Sequence, residues 1–130
     1  MTGVRVALDT VTAIRVLNGE PSVSNRLTAE RIFGLPVTVV GELFFGALNS
    51  ARAVLNCARY GEFVETAIVI ETTAEIARRY AELRVALKGV GRPIPQNDMW
   101  VAATCLHHGL VLVTSDEHFA ACPGLLIEDW

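Results

Sequence analysis

Ile94 to Ala103, IPQNDMWVAA, is the stretch whose reading decides how the rest of the chain is arranged. Pro93 and Pro95 push Arg92 and Ile94 toward extended backbone, so the spacing predicts a helix beginning at about Pro95. Asp98 then falls in the first turn. Met99, Ala102, Ala103 and Leu106 recur at helical spacing and give that helix a face to bury. A carboxylate at such a position is ordinary, because the helix dipole and the free N–H groups favour it there. Three further acids, Asp9, Glu42 and Asp116, lie in similarly apolar surroundings, at strand ends or inside an apolar helix. Four such carboxylates from separate segments suggest a metal site.

Outward from that stretch, short apolar segments alternate with helical ones. Val4 to Leu8 reads as a strand that runs into Asp9, and Thr10 or Thr12 then opens a helix through Ile14 and Leu17, stopping near Asn18 and Gly19. Pro21 and Ser22 open a second helix, expected to end at Gly34 with Val23, Leu27, Ile32 and Phe33 on its apolar side. Pro36 to Val40 fits a strand, a helix start, or one passing into the other. A helix is expected over Glu42 to Leu48, then another over Ser50 to Val64, then a strand at Ala67 to Ile70. Thr72 and Glu75 have the spacing of a capping box for a helix ending at Gly89. Gly109 closes the Asp98 helix, Leu110 to Val113 is a strand leading to Asp116, and Leu125 to Glu128 is a last strand. This alternation implies an α/β fold, with a mostly parallel central sheet and helices on both faces. In such sheets ligands collect beyond the carboxyl ends of the strands, where Asp9 and Asp116 are expected.

With 130 residues, 52% of them hydrophobic, the chain reads as a single folded domain over residues 1–130. No apolar run reaches the roughly 18 to 20 residues that span a bilayer, and the start lacks the order of a signal peptide. A soluble, cytoplasmic protein without a membrane is expected. Cys57, Cys105 and Cys122 are odd in number and form no CxxC pair, which argues against a disulfide framework. The formal charge of −3 looks wrong for a nucleic-acid binder. Neutralising four of the 14 acids, however, leaves ten against 11 basic residues, a balance that permits a polyanion.

Glu42 is the most informative acid. An ionised carboxylate within the run VTVVGELFFGAL costs several kcal/mol to bury unless something compensates it, and no basic residue lies between Arg31 and Arg52. A distant Arg folding over it is the plain alternative; capping of the following turn is the plain alternative for Asp9 and Asp116. Hard cations such as Mg²⁺ or Mn²⁺ take oxygen ligands, lower the pKa of a bound water and stabilise a leaving oxygen, which leads to phosphodiester hydrolysis. Thr10, Asn97, Thr114 and Ser115 adjoin the acids and are candidates to hold them or their waters. A zinc set from Cys105 and His108 with Cys122 or His118 has irregular spacing, and no Ser/His/Asp arrangement, GxGxxG or GxxxxGK stands out.

Taken in order, VALDT around Asp9, VVGELFFGA around Glu42, IPQNDMWVAA around Asp98 and LVTSDEHFAACPGLLIEDW around Asp116 resemble the PIN domain, particularly the VapC-type toxin ribonucleases of toxin–antitoxin pairs. The resemblance implies a PIN-like fold, with Asp9, Glu42, Asp98 and Asp116 as the acidic cluster holding Mg²⁺ or Mn²⁺, and RNA as the substrate of a metal-activated water. It implies a homodimer and a cognate VapB-like antitoxin whose C-terminal segment covers the active-site groove. Val11 is one departure, where many relatives carry a polar residue after the Asp-Thr pair, and Ser115 beside Asp116, at a position that varies among them, is another. A catalytically inert PIN-like RNA- or protein-binding module is the competing reading. A phosphate-accepting enzyme is a third, which Val11 disfavours because the haloacid-dehalogenase pattern wants an Asp at that place.

Overall fold

Five strands of three residues each form the centre of a computed structural model that describes residues 3–130. They are β1 (Val6–Leu8), β2 (Gly34–Pro36), β3 (Ile68–Ile70), β4 (Val111–Val113) and β5 (Leu126–Glu128). The sheet runs in the order β3-β2-β1-β4-β5 with every neighbouring pair parallel. Val6, Ala7 and Leu8 are all fully buried, and since successive strand residues point to opposite faces, both faces of the centre are covered. Leu35 and Leu112 continue that core, while Ile68, Leu126 and Ile127 on the two edge strands are exposed. The α/β architecture with a parallel central sheet is therefore observed as expected.

Among the described residues six helices connect the strands: α1 (Thr10–Leu17), α2 (Pro21–Glu30), α3 (Val37–Leu48), α4 (Ala53–Glu65), α5 (Ala74–Gly89) and α6 (Gln96–His108). Among the described residues no helix is long and apolar enough to cross a membrane. Cys57, Cys105 and Cys122 are all free, and burial pushes the Cys105 and Cys122 thiols up to about 12 and about 11. Both are therefore neutral packing groups.

Several boundaries differ from expectation, among them the start of α4, at Ala53 instead of Ser50. α2 stops at Glu30 instead of reaching Gly34, because Arg31 turns the chain with φ 68° and the Ile32 N–H donates to the Glu30 carbonyl at 2.8 Å. Phe33 still joins the core from outside the helix, whereas Ile32 is exposed. α3 begins at Val37, five residues before Glu42, directly from β2 with Pro36 as its cap. α5 is capped by Thr73, whose hydroxyl accepts from the Ile76 N–H, so the Thr72–Glu75 spacing is not the one used.

The strand order reverses between β1 and β4: the chain leaves β1 toward β2 and β3, then returns to β1's other side. Such a switch point opens a crevice beyond the carboxyl ends of the two strands. The register pairs Leu8 with Val113, so Asp9 and Thr114 emerge side by side into it.

Candidate metal centre

Asp9 leaves β1 and caps α1, its Oδ1 accepting from the Thr12 N–H at 2.9 Å. It does this while staying 6% exposed, and its second oxygen accepts from the Thr114 hydroxyl. The capping alternative is thus real, yet it uses only one face of the carboxylate. Thr114 in turn accepts the Asp116 N–H at 3.0 Å, so one buried hydroxyl ties together the ends of β1 and β4. Thr12 adds a second tie by donating to the Val113 carbonyl at 3.0 Å. These bonds fix Asp9 and Asp116 relative to the sheet instead of leaving them on a loose loop.

Glu42 arrives from α3. Thr10, the first residue of α1, donates to Glu42 Oε1 at 3.1 Å, joining the residue after Asp9 to the acid of a different helix. The two line one cavity of about 520 Å³ with Thr38, Gly41, Phe45 and Asn97. Glu42 is partly buried, and the distant Arg considered as its partner is not there: among the described residues no Arg or Lys forms an ion pair with Asp9, Glu42, Asp98 or Asp116.

α6 carries Asp98 in its first turn. Pro95 is the cap and no side chain accepts from the free N–H groups, so Asp98 is not spent on capping. Gln96 donates to the Tyr80 hydroxyl at 2.9 Å, and the Tyr80 ring stacks on Trp100 with centroids 3.8 Å apart. That brace holds the start of α6 against α5, while Met99, Ala102 and Ala103 seat its apolar face in the core as expected. The Asp98 carboxyl is pushed up to about 6, first by burial, then by the negative charges of Asp116, Glu42 and Asp9. The charges of the other three acids therefore all reach Asp98 at this edge of the sheet.

Asp116 lies past β4 and caps a 3₁₀ turn over Glu117–Ala121, accepting from the His118 N–H at 2.9 Å. Asp98, Asp116 and His118 each offer a ligand atom, all within 4.8 Å of one another. From the sequence His118 is a candidate only for a zinc set. Its signal is its place two residues after Asp116, but its nearness to Asp98 depends on how α6 packs. Cys105, His108 and Cys122 form no metal-ligating group among the described residues. Of the four neighbours proposed to support the acids, Thr10 and Thr114 bond to them, Asn97 shares the Glu42 cavity, and Ser115 makes no side-chain hydrogen bond to them among the described residues.

The donor set fits a hard divalent cation. Asp98 and Asp116 bring oxygens together with no Arg or Lys paired to them among the described residues, while Asp9 and Glu42 lie outside that close group. After burial, it is repulsion from Asp116, Glu42 and Asp9 that raises Asp98, and a dication would relieve it.

Residues 6–125 match the family model of the PIN domain. The chain is 31% identical over 119 residues to ribonuclease VapC5 of Mycobacterium tuberculosis, an alignment spanning 90% of this chain and 87% of that protein. It superposes with a TM-score of 0.93 on DNA-bound VapBC from Salmonella typhimurium, at 27% identity and 98% coverage of both chains. With VapBC2 of Rickettsia felis bound to a DNA fragment from its promoter, the TM-score is 0.91 at 25% identity, again covering 98% of each chain.

Proposed function

The chain belongs to the PIN domain family, in its VapC-type toxin branch, and from that premise we propose that it is a metal-dependent endoribonuclease, the toxin of a type II toxin–antitoxin pair. The observation that carries this reading is the group of carboxylates around Asp98 at the sheet's switch point, which among the described residues no Arg or Lys pairs with. Asp9, Glu42, Asp98 and Asp116 would hold Mg²⁺ or Mn²⁺. When bound, such a cation lowers the pKa of a coordinated water and stabilises the oxygen that leaves phosphorus. Thr114 and Thr10 keep Asp9 and Glu42 oriented, and burial of Asp9 limits competing water. RNA hydrolysis then proceeds at a site whose bare acids would otherwise repel the phosphodiester.

Cations on the neighbouring surface support an RNA substrate. Arg84 and Lys88 line a cavity of about 580 Å³ beside Gln96, and Arg92 lines another of about 610 Å³ that includes His118. Among the described residues none of the three is in an ion pair, so they are available to phosphates. A VapB-like antitoxin is the proposed regulator and a homodimer the proposed assembly. Exposed Phe45 and Leu48 on α3, with Val54 and Leu55 on α4, offer apolar surface for such partners. The matched span supports reading residues 1–130 as one domain.

The test is cleavage of structured RNA by purified protein with Mn²⁺. Wild type cuts, and Asp98→Asn is inactive while remaining folded by circular dichroism. Equal cutting by the variant would overturn the assignment.

A further inference from the structure

Asp98 and Asp116 are accompanied at the candidate centre by a nitrogen donor. His118 Nδ1 lies 3.2 Å from Asp116 Oδ1. A contact with Asp116 alone would be a local consequence of the 3₁₀ turn, because the His118 N–H already bonds the same oxygen. Proximity to Asp98 is different in kind, since Asp98 stands on α6, across β4 from the turn. Phe119, 1% exposed, and buried Cys122 pin the turn to the core, so the His118 backbone is fixed while its ring stays 64% exposed and able to rotate.

We infer that His118 gives the cation site held by Asp98 and Asp116 a nitrogen ligand, biasing it from Mg²⁺ toward first-row transition-metal dications. Two atoms bonded to one ion at about 2.1 Å each are at most about 4.2 Å apart. The spread of up to 4.8 Å among the three residues is closed by a small side-chain rotation. Mg²⁺ demands oxygen ligands in near-ideal octahedral geometry and dehydrates reluctantly, so it gains little from an imidazole. Transition-metal dications accept an imidazole nitrogen and gain more from it. In the absence of an ion, the ring nitrogen stands 3.2 Å from Asp116 Oδ1. Cation binding would replace this proximity with a metal–nitrogen bond. The inference rests on the cation site of the proposed function but not on RNA cleavage.

Calorimetry and pulsed electron paramagnetic resonance on the full chain test it, with Mn²⁺ and Mg²⁺ as probes and His118→Ala as the variant. Wild type loaded with Mn²⁺ shows nuclear modulation from a directly bound ¹⁴N, and the variant loses it. The same substitution weakens Mn²⁺ binding roughly tenfold or more and Mg²⁺ binding by less than about twofold. Because the ring is exposed, the metal-free variant keeps the wild-type melting temperature within a couple of degrees. No nitrogen modulation in wild type, or equal weakening of both ions, would overturn the inference and leave His118 as a charge partner of Asp116. A nitrogen signal in a protein that leaves RNA intact would retain the ligand and remove the nuclease reading. RNA cleavage without the signal would do the reverse.

Discussion

Asp98 is the residue at which the cost of assembling this site is concentrated. Its carboxyl titrates at about 6 against an ordinary 3.8, so the folded protein holds this proton more tightly than the unfolded chain does. Stability contributed by the protonated form is lost as pH rises from about 4 through about 6, leaving the metal-free protein at a deficit by pH 7. Discounted for solvent screening at this half-buried carboxyl, the shift corresponds to roughly 1–2 kcal/mol. Asp98→Asn should therefore melt several degrees higher than wild type at pH 7 in the presence of a chelator, with the gap closing by pH 4. A variant that melts lower at pH 7 would mean that the acid is stabilised by its surroundings. The four acids stand out in the sequence because charged groups lie among apolar ones, and the closeness of Asp98 and Asp116 is what the structure adds. His118 does not stand out there, since its meaning depends on α6 bringing Asp98 beside it, a tertiary fact that spacing along the chain does not encode.

Elements were legible wherever a local signal marked their ends. Gly109, in the left-handed region with φ 65°, ends α6 as expected, and Pro95 starts it. The β-branched run Val37-Thr38-Val39-Val40 left strand and helix start both open by propensity, and the structure has one passing into the other: β2 ends at Pro36 and the run is the first turn of α3, where Val39 and Leu43 pack into the core. The end of α2 had no local signal at all. Arg31 occupies a three-residue turn with φ 68° and ψ −46°, a conformation costing an L-residue about 1–3 kcal/mol. Glycine relieves that strain at an unfolded-state cost of about 0.5–1 kcal/mol. Arg31→Gly should accordingly stabilise the protein by about 1 kcal/mol in urea denaturation and leave RNA cleavage unchanged. A loss of stability would show that the Arg31 side chain contributes more than its backbone costs.

Across the whole molecule, distant parts of the chain are tied by one guanidinium. Arg5 donates to Glu30, 25 positions away at the end of α2, and to Glu128, 123 positions away on β5, each with a contact of 2.6 Å. Its hydrogen bonds hold the Glu128 carboxyl down to about 2 and the Glu30 carboxyl below its usual range. Depressed acids contribute stability above their unfolded values, near 4.5, and lose it as pH falls toward 2. Arg5 is about half exposed, so solvent limits the effect. Arg5→Gln should cost under about 1 kcal/mol at pH 7 by urea denaturation, and the difference should vanish near pH 2. A constant difference across that range would mean that packing, not charge, is what Arg5 supplies. The same closure of the chain brings Asp98 and Asp116 together and sets Asp9 and Glu42 near enough for their charges to act on Asp98, and the proposed function depends on that arrangement holding a cation. Anomalous diffraction from crystals soaked in millimolar Mn²⁺ measures it most directly. The expected result is a manganese peak bounded by those four carboxylates, whereas a peak elsewhere, or none at that concentration, would contradict it.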